Sequence, residues 1–250
     1  MGRWDKAALE TQRLVSFCLL VVFGPVIHAI YRFRFRYSAH DLDSVRQRFR
    51  EIRRQHPGPM LLCSNHLTLI DSIVQGVILN SLLRYVTHIS ALPWNLPERK
   101  NYEKSLAWRL TCYLGRCIGV TRGAASAESR RAQEKMRYVL KRGDIISIFP
   151  EGTRSRNGRV EDVDFSYGSG QLLRMVPEST VLCVYMRGLK SGGFADFPAT
   201  GERFFLDMEV IEVRSDKKGL RQTRDYSRQI IAQLKAMEDR FFASALAPGQ

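Results

Sequence analysis

Beyond residue 57 the chain alternates short apolar runs with stretches of helical periodicity, and no other feature restricts its fold so strongly. Met60–Ser64, Asp144–Phe149 and Thr180–Met186 are too short for free-standing helices and read as strands buried in a sheet. Arg84–Leu92 and Cys117–Thr121 read as further strands, and Arg203–Val213 alternates as a strand does. Helices are expected over Asp71–Leu83, Tyr102–Leu114, Ala127–Lys141, Tyr167–Val176 and Leu220–Phe242. One more is expected to start at a capping Asp41, run to Gln55 and end at His56-Pro57-Gly58. Its basic face (Arg46, Arg50, Arg53, Arg54) suits either water or lipid. Such alternation predicts an α/β sheet domain. No Pro/Gly/Ser-rich linker divides it, and 250 residues suffice for one full-sized core.

The N-terminus is of another kind. Leu14–Ile30 is apolar and uncharged apart from His28, and Tyr31–Tyr37 then alternates aromatic residues with arginine. The run is at the short end of the ~17–25 residues a spanning helix needs. Gly24-Pro25 lies within it, where a helix is expected to kink or break. Arg3, Lys6 and Arg13 precede it, and Arg32, Arg34 and Arg36 follow. Cations at both ends favour keeping both on the cytoplasmic side. The expectation is a membrane-associated helical hairpin over residues 1–40, re-entrant or interfacial, followed by one domain over 41–250. A single transmembrane span and a buried core helix are the alternatives. A cleaved leader fits poorly, because no small-residue cleavage site follows the run.

The formal net charge of +14 speaks to partners rather than fold. It suits nucleic acid, an anionic membrane surface or an acidic protein. No zinc-finger, RNP-type or helix-turn-helix signature accompanies it, and the apolar N-terminus argues for lipid over nucleic acid. Cys18, Cys63, Cys112, Cys117 and Cys183 form no CxxC pair. They read as reduced thiols in a cytosol-facing protein, with no zinc site.

Two segments carry chemistry. Ser64-Asn65-His66-Leu67-Thr68-Leu69-Ile70-Asp71 follows an expected strand and opens an expected helix, which places His66 in the turn at the rim of a sheet. Asp71 can hold one ring nitrogen and leave the other as a proton acceptor. Positions i and i+5 do not face each other on an ideal helix, so the intervening turn must be irregular. By itself the pair is equally compatible with a capping or loop histidine. Phe149-Pro150-Glu151-Gly152-Thr153-Arg154-Ser155 follows the Asp144–Phe149 strand and offers backbone N–H groups, a hydroxyl and a guanidinium to a phosphate. By itself it is equally compatible with a polar surface turn.

In this order, the two segments resemble the signature of the glycerolipid acyltransferase family, the 1-acylglycerol-3-phosphate acyltransferase (PlsC-like) group. Its first block, Asn-His followed by four residues and Asp, is met by Asn65, His66 and Asp71. Its third block, Phe-Pro-Glu-Gly-Thr-Arg-Ser, is met at every position from Phe149 to Ser155. The best match to the second block is Cys117–Arg122, with Gly115 displaced from the expected glycine. Cys183 stands where the fourth block usually has proline, and Phe165-Ser166-Tyr167-Gly168 lacks the lysine many relatives carry. The resemblance covers residues 55–215.

The resemblance implies an α/β fold with a mixed sheet flanked by helices, and direct acyl transfer without cofactor or metal. His66 would take the proton of an acceptor hydroxyl while Asp71 orients it. Asn65, Arg122, Glu151, Gly152, Thr153 and Arg154 would contact substrate. The acceptor would be a lysophospholipid such as lysophosphatidic acid, and the donor an acyl-CoA or acyl-ACP thioester, with acyl carrier protein a possible partner. The location would be the cytoplasmic face of a bacterial inner membrane, against anionic phospholipid and without nucleic acid. Another lysolipid acceptor, such as lyso-ornithine lipid, is the nearest alternative, and an anionic-lipid-binding protein on an inactive acyltransferase fold the non-enzymatic one. A nucleophile-dependent thioesterase or lipase is disfavoured, since no G-x-S-x-G elbow is present.

Overall fold

The computed structural model describes residues 1–103, 105–121, 127–190 and 195–244. In chain order the elements are α1 (Arg3–Ala29), β1 (Ser38–Ala39), α2 (Leu42–Gln55), β2 (Met60–Ser64), α3 (Asp71–Leu79), α4 (Leu82–Thr87), β3 (Trp94–Asn95), α5 (Arg99–Tyr102) and α6 (Leu106–Leu114). Then follow α7 (Ala127–Lys141), β4 (Ile145–Ile148), α8 (Gly168–Met175), β5 (Thr180–Gly188), β6 (Arg203–Ile211) and α9 (Leu220–Phe242). The strands form one mixed sheet in the order β1-β6-β5-β2-β4-β3. β2 runs parallel to both β4 and β5, β3 is parallel to β4, and β6 is antiparallel to β5.

Because side chains alternate along a strand, each strand feeds two cores. Met60 and Leu62 of β2, with Leu182, Val184 and Met186 of β5, meet α2 and α3 on one face. Leu61 and Cys63, with Val181, Cys183 and Tyr185, meet α7, α8 and α9 on the other. This two-sided burial explains why the central strands read as unbroken apolar runs. α2 buries Val45, Phe49 and Ile52, spaced one helical turn apart. Two arginines of its basic face serve as caps. Arg46 donates to the Val77 and Ile78 carbonyls at the end of α3 (2.9 and 3.2 Å), and Arg53 to those of His56 and Gly58 (3.1 and 3.0 Å).

The structure corrects several expectations. Arg84–Leu92 is not a strand. Ser81 caps a short helix there by accepting from Arg84 N–H, and Tyr85 is pinned to the Gly76 carbonyl at 2.7 Å, so local capping outweighs the β-branched composition. The edge strand is instead β3, paired with Ile146 and Ser147. Cys117–Thr121 joins the sheet only through isolated bridges to Asn95 and Glu98. The helix expected over Tyr102–Leu114 begins later, as α6, where Ser105 caps it by accepting from Trp108 N–H, and Tyr102 instead ends the separate α5. Asp41 is left-handed (φ 47°) and makes no side-chain cap.

The N-terminal hairpin is also overturned. α1 runs unbroken through Gly24 and Pro25 and continues as a π-helical turn to Arg34. Pro25 removes one N–H, and His28 Nδ1 contacts the Gly24 carbonyl at 3.0 Å. This is the one helix among the described residues long and apolar enough to cross a membrane, and only 11% of its most apolar 18-residue window is buried. That exposure excludes a core helix. A narrow stripe, Asp5, Leu9, Gln12, Ser16 and Gly24, faces the domain. Asp5 pairs with Arg131 (2.6 Å), Glu10 accepts from Tyr138 (2.8 Å), and Gln12 and Ser16 donate to the Tyr113 carbonyl (3.0 and 3.2 Å). Gly24 lies against Leu82, and Tyr31 meets Tyr37 edge to face at 5.5 Å. The helix is therefore gripped near both ends by the same domain.

α8 and α9 approach so closely that a Cβ on Gly170 would lie 2.1 Å from the Thr223 carbonyl oxygen. Gly170→Ala is expected to lower the unfolding free energy by roughly 1–3 kcal/mol, read as a shift of the urea midpoint with unchanged slope.

Candidate active site

The parallel pairing of β2 with β4, Cys63 opposite Ile148, makes the loops after both strands leave the same sheet edge side by side. The first carries His66 and the second Phe149–Arg154. Residues 65–70 form an irregular turn, and α3 begins only at Asp71. The irregularity brings Asp71 back under the histidine, as the five-residue spacing requires.

Asp71 is buried and surrounded by donors. Its Oδ2 accepts from Leu67 N–H (2.7 Å) and Thr68 N–H (2.8 Å) and lies 3.0 Å from His66 Nδ1. Its Oδ1 accepts from the Thr68 hydroxyl at 2.5 Å. An oxygen that already accepts two backbone N–H bonds can only accept from the imidazole as well. The proton therefore sits on Nδ1, and Nε2 carries the lone pair. Among the described residues nothing hydrogen-bonds Nε2, and the His66 side chain keeps 20% of its surface open. Phe149 stacks on the ring at 4.1 Å with planes 13° apart, fixing its tilt.

The second loop grips the first through the backbone. Glu151 Oε1 accepts from His66 N–H (2.7 Å) and Oε2 from Glu161 N–H (3.2 Å), while Ser155 N–H donates to the His66 carbonyl (2.8 Å). Gly152 stands at φ 76° and packs against Ser166, where an added Cβ would come within 2.9 Å. Both the backbone angle and the crowding require glycine. The grip extends to α9, whose buried Glu238 accepts from Val160 N–H (3.0 Å) beside Glu161.

The expected site residues thus divide. His66, Asp71, Thr153 and Arg154 lie at the sheet edge, with Thr153 exposed at the loop tip. Asn65 was expected at the substrate but is 2% exposed. Its amide bridges to β5 instead, donating to the Met186 carbonyl (3.0 Å) and accepting from Met186 N–H (2.8 Å). Glu151, 3% exposed, likewise acts from behind the turn. Arg122 lies outside the described residues. Arg154 Nη1 donates to Asp196 at 2.6 Å, and the Asp196 carbonyl accepts from Leu69 N–H at 3.0 Å, so the 195–198 segment borders the same edge. Sequence reading did not assign Thr68, Phe149 or Asp196 a role. Thr68, three residues before a carboxylate at a helix start, carried a local signal, whereas Asp196 carried none. Among the described residues, no group of three or more His, Cys, Asp or Glu side chains is placed to hold a metal.

Burial pushes the Glu151 carboxyl up to about 7 from an ordinary 4.5, against the pull of its two backbone donors; Glu238 and Asp71 add repulsion. The folded state therefore holds this proton more tightly than the unfolded chain. The resulting stabilisation is full below the ordinary value and is lost as pH rises to about 7. In Glu151→Gln this titration disappears. Relative to wild type, the fall in unfolding free energy between about pH 4.5 and 7 should flatten, by at most roughly 3 kcal/mol. Urea denaturation at stepped pH measures the slope, and an unaltered slope would show that Glu151 does not titrate there.

A comparison with curated proteins finds no match. A family model described as Acyltransferase matches residues 40–187, more than half of the chain, and spans the His66 turn, Asp71 and the whole Phe149–Ser155 loop. The chain belongs to the acyltransferase family.

Proposed function

We propose that the protein is a membrane-associated O-acyltransferase that moves a fatty acyl group from a CoA or carrier-protein thioester to the hydroxyl of a lysophospholipid, with lysophosphatidic acid the leading acceptor. The observation that carries this reading is the buried Asp71 carboxylate on His66 Nδ1, which leaves Nε2 basic and outward. The acceptor hydroxyl gives its proton to Nε2 as its oxygen attacks the thioester carbonyl. The tetrahedral intermediate then expels the thiolate, which takes the proton back from the imidazolium. Asp71 holds the ring in one tautomer and stabilises the imidazolium. Asn65 and Glu151 are positioning residues in this scheme.

Arg154 is the phosphate ligand of this reading, with Thr153 beside it. Its partner Asp196 is 68% exposed and would compete with an incoming phosphate. Membrane attachment is assigned to α1. A helix gripped near both ends by one domain lies along a leaflet rather than across it, which suits acceptors that never leave the bilayer. The arginines at 32, 34 and 36 suit an anionic headgroup layer. The five free thiols suit a reducing compartment and hence a cytoplasmic face.

The test is an acylation assay with purified full-length protein, a panel of lysolipids including lysophosphatidic acid and lyso-ornithine lipid, and both thioester classes, with products read by mass spectrometry. His66→Ala should lose about 10²–10⁴-fold in turnover while vesicle binding and the thermal melt stay as in wild type. A diacyl product formed equally by this variant would end the general-base reading. Equal vesicle binding without turnover in either protein would favour a lipid-binding protein. Arg154→Ala should raise the KM for the phosphate-bearing acceptor. Asp196→Asn should lower it a few-fold, since an exposed ion pair is worth ~0–1 kcal/mol; a rise in Asp196→Asn would overturn the competition.

A further inference from the structure

We propose that α6 is a second membrane-inserted helix, which docks its Leu106–Leu110–Tyr113 stripe into the same anionic leaflet as α1. The proposal rests on the membrane reading of α1 given above. Not one residue of α6 is buried. Leu106, Leu110 and Tyr113 are 80%, 53% and 38% exposed, and their spacing of four and three puts them on one helix face. A stripe of this kind ordinarily packs against a core, and left open it marks an interaction surface.

Three observations select a lipid leaflet as its occupant. The first is continuity. α6 lies beside α1, because Gln12 and Ser16 both donate to the Tyr113 carbonyl. α1 itself exposes Val22, Val26 and Ile30 (62%, 50% and 44%), and Leu83, 73% exposed, follows the Leu82 that packs on Gly24. The second is charge. Arg109 is exposed within α6, arginines 32, 34 and 36 follow α1, and the chain carries +14, so an anionic leaflet attracts this face while a second copy of the chain is repelled. The third is composition. Tyr113, 38% exposed within the stripe, is an amphipathic ring that favours the headgroup layer.

The experiment uses the full chain and flotation with vesicles of phosphatidylglycerol and phosphatidylethanolamine. Leu106→Glu/Leu110→Glu is compared with Val22→Glu/Val26→Glu in α1. The α6 pair should lose at least about tenfold in vesicle partition, with an unchanged thermal melt and unchanged turnover of short-chain substrates kept below their micelle concentration. Unchanged partition in the α6 pair, alongside a loss in the α1 pair, would overturn the proposal and leave the membrane reading intact. No loss in either pair would overturn both. A shift from dimer to monomer in sedimentation velocity, with partition intact, would make the stripe a self-interface and overturn the proposal. A second readout does not depend on the folding of the glutamate variants. Trp4→Phe/Trp108→Phe/Leu110→Trp carries its one exposed indole on the stripe itself, since Trp94 is buried. Its fluorescence should be quenched by brominated lipid in the vesicles, and absence of quenching would overturn the proposal.

Discussion

The structure turns on the carboxylate of Asp71. It accepts two backbone N–H bonds, a hydroxyl and an imidazole within one irregular turn. Those donors shape the chain between β2 and α3 and decide which nitrogen of His66 holds the proton. A helix started earlier would carry Asp71 off the face of the histidine, and a strand carried further would point His66 into a core. Local backbone geometry and the tautomer of the imidazole are therefore one interaction seen from two sides.

Around it the architecture supplies rigidity. The parallel pairing of β2 with β4 brings both functional loops to one edge, and the clasp of Asn65 on Met186 ties that edge to β5. Glu151 fastens the two loops through backbone N–H groups, so its invisibility from solvent agrees with its work. The α9 helix lies outside the matched family segment, yet its Glu238 holds the chain beside Glu161.

Much of this was legible in the sequence because the signals were physical and local. Unbroken apolar runs mark strands covered on both faces, and the β4, β5, α7 and α9 regions fall within a few residues of expectation. The histidine and its carboxylate were legible from spacing together with the strand that precedes them. Failures arose where distant contacts outweighed local pattern. Gly24-Pro25 reads as a break, but a helix gripped on either side of the proline tolerates one missing bond. Arg84–Leu92 has strand-like composition, but Ser81 and Gly76 capture it as a helix. Asn65 and Glu151 look like ligands because polar residues in a motif invite that reading. Only burial reveals that they bind the chain to itself. Asp196 reaches Arg154 across a separation that no local pattern encodes.

The long-range grip on α1 also has a temporal side. The groups that hold it come late in the chain: Gln12 waits for Tyr113, 101 residues on, and Asp5 waits for Arg131, 126 residues on. The strand just after α1 pairs with Arg203 and Phe204. At the ~5–20 residues per second of synthesis, Asp5 and Gln12 are made roughly 5–25 seconds before these partners. Through that interval the N-terminal half of the helix lacks those partners. Whatever shelters α1 then meets it before those segments of the domain do. The order of translation thus puts α1 ahead of the segments of the domain that later hold it, and its grip closes only when those segments arrive.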